Sequence, residues 1–107
     1  MRSIEFEILL TLAAGERHGY AIIQDIETRS RGAVSVGTGT LYRALQRLAE
    51  GGLVRPADVR ATVAGDDERR RFYAITAAGR RAAADEARRM ASLVDAARAA
   101  RLIHEAT

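Results

Sequence analysis

The 107-residue chain has no cysteine, no tryptophan and a single proline. Without cysteine there can be no disulfide, no thiolate nucleophile and no Cys-ligated zinc or iron–sulfur site. With no signal peptide in view either, the expected compartment is the cytoplasm. No apolar run approaches the roughly 20 residues a membrane-spanning helix needs, so no membrane partner is expected. Lysine is missing as well, and all 17 basic residues are arginine. Beside so much alanine, this reads first as the stamp of a GC-rich genome. An arginine fork can still grip phosphate or guanine bidentately, which an ammonium cannot. The net charge is only +3, so any hold on nucleic acid must come from where the charges sit rather than from their sum.

Signals for catalysis are equally scarce. There is no Gly-x-Ser-x-Gly elbow and no phosphate-binding Gly-Lys loop. The acids fall mostly on polar helix faces, without a pair that patterning would bury. His18 and His104 lie far apart in the sequence and cannot make a metal site on ligand count, so His18 reads as a structural residue at the start of a helix. The run Asp66-Asp67-Glu68 beside Gly65 reads as a solvated loop rather than a cation site. No enzyme activity, metal or cofactor is expected.

What remains is a chain of one domain, or a small domain plus one extra element. With 48% hydrophobic and 29% charged residues, it has the balance of a folded, soluble protein. Residues 3–14 read as a first helix capped by Ser3, with Ile4, Ile8 and Leu12 on one face. A second helix over 18–30 carries Ile22, Ile23 and Ile26, and Tyr20 reads as a packed aromatic. The third is the clearest. Thr38 or Thr40 can cap it, Leu41, Leu45 and Leu48 recur at helical spacing, and Gly51-Gly52 ends it. Two strands follow, one beginning at Leu53-Val54 with Pro56 confining it to an edge, the other spanning Arg71–Thr76. A last helix is expected from the cap Thr76 to about Glu105, roughly 45 Å long. Its stripe of Met90, Leu93, Val94, Ala97 and Ile103 would project beyond the domain and needs a second chain to cover it. A homodimer is therefore expected through 77–107, with Phe6 of the first helix as further contact surface.

Three helices followed by a hairpin form the winged helix-turn-helix order. The third helix is anchored by its leucines and turns Arg43, Gln46 and Arg47 away from them. Arginine suits guanine or phosphate, and glutamine suits adenine. Thr38, Thr40 and the N–H groups of that helix's start suit a backbone phosphate. Two such helices in a two-fold dimer would meet successive major grooves, roughly 34 Å apart, on an inverted-repeat operator.

The segments HGYAIIQDIE at 18–27, GTLYRALQRLAEGGLV at 39–54 and RRFYAITAAGRRA at 70–82 together resemble the PadR family of bacterial transcriptional regulators, in the short form with a single C-terminal helix. The resemblance runs from Ile8 to about Ala100. It implies a mostly α winged helix-turn-helix domain over 1–76 and a dimerisation helix over 77–107. It also implies operator binding to double-stranded DNA, usually repression, often relieved by a small-molecule effector. By position, Tyr42 would touch the DNA backbone or a base edge, and Arg70 and Arg71 of the wing would approach the minor groove. Asp66, Asp67 and Glu68 at the wing tip run against that pattern, since they would repel phosphates. The low net charge and this acidic tip keep an alternative open, a winged-helix protein-interaction module without sequence-specific DNA binding. The seam between first and last helices, lined by Phe6, Met90, Leu93 and Val94, is either a packed contact or an effector site, and packing is the more common fate of such stripes.

Overall fold

Each apolar repeat becomes a helix with one buried face. The computed structural model describes residues 1–57 and 71–104. Helix α1 spans Ser3–Ala13 and buries Ile8, Leu9, Thr11 and Leu12. Ser3 is its first helical residue rather than its cap; Arg2 takes the cap position, and its backbone N–H donates to Glu5 Oε1 at 3.3 Å. Helix α2 spans Gly19–Arg29 and buries Ile22 and Ile26. His18 caps it, Nδ1 accepting from Ala21 N–H at 3.1 Å, which gives the histidine the structural role expected of it. Tyr20 departs from expectation: it lies 52% exposed.

Helix α3 spans Thr38–Glu50 and buries Leu41, Ala44, Leu45 and Leu48. Its cap is Gly37, with no side-chain cap bond, so neither Thr38 nor Thr40 fills that role. Gly52 ends it at φ 76, and Leu53 N–H returns to Leu48 O at 2.9 Å, the six-residue closure that a left-handed glycine permits. The leucines of α3 join Ile8, Leu9, Leu12, Ile22 and Ile26 in one core.

The strands are β1 (Arg17–His18), β2 (Val54–Ala57) and β3 (Phe72–Ile75), in antiparallel order β1-β3-β2. Pro56 sits opposite Tyr73 on the edge strand β2, where a missing N–H costs no ladder bond. Strand β1 was not expected: two residues are too few to show alternation. It closes the other side of β3, with the His18 ring edge-on to Phe72 at 5.6 Å.

Helix α4 spans Ala77–Ala99. Thr76 caps it as expected, Oγ1 accepting from Gly79 N–H at 2.9 Å while donating to Gly52 O at 2.7 Å. Gly79 has no room for a side chain: a Cβ there would collide with Leu53 O and come within 2.8 Å of Ile75 Cγ1. The helix is shorter than expected. Arg101 turns left-handed at φ 63, and Leu102 N–H bonds back to Ala97 O at 2.9 Å. This is the closure seen at Gly52, made here by an arginine, and it takes Ile103 off the helical stripe. About 35 Å of helix remain, in a molecule measuring 55 × 29 × 23 Å. Together these elements form the mostly helical winged-helix architecture that the sequence indicates.

Candidate nucleic-acid interface

The buried face of α3 dictates what its other faces can do. With 3.6 residues per turn, the positions opposite Leu41, Ala44, Leu45 and Leu48 are Gly39, Arg43, Gln46 and Glu50, all exposed. Arg43 lies across Gly39, its Nη1 3.1 Å from where a Cβ would stand. No acid lies within ion-pair distance of Arg43 among the described residues. Gln46 Nε2 reaches Glu50 Oε2 at 3.5 Å, a long contact on the open surface. Cationic and amide groups thus occupy the N-terminal and middle turns of this face, and Glu50 marks its C-terminal limit.

The remaining residues expected at this interface lie on the flanks of α3 or off the helix. Thr38 and Thr40 are exposed in its first turn, beside N–H groups that no side chain caps. Tyr42 is half-buried, packed against the core on the α2 side. Its hydroxyl lies so close to Gly19 that a Cβ there would collide with it; Gly19 thus makes room for Tyr42. On the opposite flank, Arg47 Nε donates to Glu5 Oε2 of α1 at 2.8 Å. Partial burial pushes the Glu5 carboxyl up. Hydrogen bonds from Arg47 and from the backbone of Arg2, with the positive charge of both, outweigh it and hold the group below its ordinary value. Arg43 and Gln46 therefore share the outward face, while Arg47 is turned toward α1.

Arg71 is exposed just ahead of β3. Arg70 and the acidic tip at 66–68 lie outside the described residues. Exposed Arg55 on β2 also belongs to the base of the hairpin; its position next to Pro56 gave no sign of this. The Glu5–Arg47 pair had no sequence signal either, because its partners stand 42 residues apart.

The expected contact residues of α4 line up too. Gly79, Ala83 and Glu86 pack toward the body, and Met90, Leu93, Val94 and Ala97 continue the same face. Leu93 is 56% exposed, Val94 is exposed, and Met90, Ala97 and Phe6 are half-buried. Among the described residues, no group of three or more His, Cys, Asp or Glu side chains could hold a metal ion. No described helix is long and apolar enough to cross a membrane.

Comparison with known proteins bears on the fold and the family. A curated relative, an uncharacterized 37.1 kDa protein in transposon TN4556 of Streptomyces fradiae, is 41% identical over 86 residues. The match takes in 80% of this chain but only 22% of that protein. A PadR family transcription regulator from Clostridium difficile shares the fold with a TM-score of 0.72 at 22% identity, over 91% of this chain and 96% of the other. Bacillus subtilis PadR, solved in complex with operator DNA, matches with a TM-score of 0.64 at 25% identity, over 78% of this chain and 46% of that one. The family model for transcriptional regulators of the PadR-like family matches residues 8–85. That span takes in the second half of α1, the whole of α2 and α3, the sheet and the first turns of α4, and the chain belongs to this family of regulators, whose members are not enzymes.

Proposed function

We propose that the chain is a sequence-specific DNA-binding repressor that acts as a homodimer on an inverted-repeat operator. The observation that carries this reading is the outward face of α3, where Arg43 and Gln46 stand exposed on a helix fixed from behind by four buried apolar residues. A helix so mounted fits the major groove, and these two side chain types match guanine and adenine edges. Thr38, Thr40 and Tyr42 serve the backbone beside it, and Arg70 and Arg71 serve the wing. The Bacillus subtilis relative with its operator supports the choice of ligand. Met90, Leu93, Val94, Ala97 and Phe6 join the two copies. A small apolar molecule entering that seam would relieve repression, and calorimetry with operator-release assays on apolar candidates tests this.

The primary test is selection of a duplex from a random pool, followed by anisotropy titration against a scrambled duplex. The expected result is a preference for an inverted repeat and affinity that falls steeply with salt. Arg43→Ala should weaken the selected duplex by about 1–3 kcal/mol. Equal affinity for selected and scrambled DNA would leave only the protein-interaction reading.

A further inference from the structure

Sequence alone groups Arg47 with Arg43 and Gln46 as outward residues, yet the fold ties it to α1. Its Nε donates to Glu5 Oε2 at 2.8 Å, and the Glu5 side chain is only 14% exposed. The second carboxylate oxygen is engaged by the backbone N–H of Arg2 at 3.3 Å. Glu5 is thus fixed from two sides: its own helix start holds one oxygen, and the other holds the arginine. On the outward face, Arg43 has no such restraint among the described residues. The two arginines of α3 stand one turn apart, and a carboxylate from another helix neutralises one of them.

We propose that Glu5 is a specificity-determining positioning residue: it withholds Arg47 from the DNA, so that base reading falls to Arg43 and Gln46. The inference rests on the DNA-binding reading above. A mobile, unpaired arginine beside a groove would grip any phosphate within reach, and phosphate contacts carry no sequence information. Pairing it with Glu5 removes that indiscriminate term and leaves the directed contacts in place. Glu5 touches no base itself. It acts through Arg47.

The test compares wild type, Glu5→Gln, Arg47→Ala and the Glu5→Gln/Arg47→Ala double variant on the selected and scrambled duplexes across a salt series. Glutamine keeps the shape of Glu5 and can still accept from Arg2 N–H. Freeing one arginine should add about one phosphate contact, steepening the salt slope by about 0.9 and tightening scrambled DNA about eightfold at 0.1 M salt. Preference for the selected duplex should fall accordingly. The double variant should return to the wild-type slope and keep the wild-type preference. Loss of preference in the double variant would mean that Arg47 reads a base, which overturns the proposal. So would a Glu5→Gln effect that survives removal of Arg47, since Glu5 would then act by its own charge. Should Glu5→Gln fail to fold, the side-chain Nε–H resonance of Arg47 gives a second readout on wild type. It should stay protected from exchange both free and DNA-bound, and loss of protection in the complex would overturn the proposal. If wild type itself prefers no duplex, the repressor reading falls, whereas a preferring wild type with an inert Glu5→Gln defeats this inference alone.

Discussion

Helices α3 and α4 use their apolar residues in opposite ways. In 13 residues α3 buries Leu41, Ala44, Leu45 and Leu48 within its own chain. In 23 residues α4 buries only Gly79 and Glu86, and it carries Leu93 more than half exposed. One helix is completed by its domain. The other is finished only along its first turns, where it lies on α1, and its stripe then runs past the edge of the body. The contrast teaches how a small chain divides labour: what is anchored from within can present a polar face outward, and what is left unanchored is the surface that the proposed dimer would cover.

The largest effect expected from breaking this contrast lies in α3. Leu45→Ala should cost about 2–5 kcal/mol of folding stability, seen as a lowered midpoint in urea at every protein concentration. Next comes the anchored end of α4. Gly79→Ala should cost about 1–3 kcal/mol, because the added methyl drives against Leu53 O and Ile75 and pushes the helix off the sheet. The unanchored end should respond differently. Leu93→Ala should leave the fold of the single chain intact by circular dichroism and weaken association by about 1–2 kcal/mol. Sedimentation at a series of concentrations reads this directly, and an unchanged dissociation constant would remove Leu93 from the dimer contact.

The same contrast explains what could be read from the sequence. The body of α3 was legible because Leu41, Leu45 and Leu48 repeat at the helical period and Gly51-Gly52 supplies a left-handed stop. Thr76 was legible as a cap for the same local reason. The start of α3 was not: Thr38 and Thr40 are good capping residues, yet Gly37 takes the position. Similarly, the end of α4 gave no sign, since Arg101 adopts a backbone that usually calls for glycine amid an alanine-rich stretch that could have stayed helical. Two-residue β1 depends on pairing with β3 rather than on its own pattern. At the candidate site, the outward position of Arg43 and Gln46 follows from helix periodicity alone. The flank positions of Arg47 and Tyr42 do not, because Glu5 and Gly19, which decide them, belong to other helices and meet α3 only in the folded chain.

Acid sharpens the comparison with the smallest effect, because each helix has an arginine paired with a carboxylate of lowered pKa, Glu86 within α4 and Glu5 of α1 against α3. Glu86 is lowered by its hydrogen bonds from Arg89, one turn along the same helix, at 3.0 and 2.7 Å. Glu5 is lowered against the pull of burial by Arg47, which belongs to α3. A carboxylate lowered on folding binds its proton more weakly in the native state than in the unfolded one. Its contribution is therefore complete above the ordinary glutamate value of 4.5 and lost as pH falls through the lowered native value. For Glu5 the loss should be less than about 1 kcal/mol, since Arg47 is partly exposed and solvent screens the pair. Its location should be specific, however. Protonating Glu86 chiefly breaks bonds within α4, because Arg89, the main cause of its shift, lies on that helix and only the charge of the N-terminal amine reaches it from outside, whereas protonating Glu5 releases α3 from α1. Hydrogen exchange between about pH 6 and pH 3, corrected for intrinsic rates, should show α3 amides losing protection ahead of those in the first turns of α4. Glu5→Gln should bring that difference to neutral pH and make it independent of acid. Equal loss along both helices in wild type would mean that the pair contributes nothing particular to holding α3, and that its leucines do so alone.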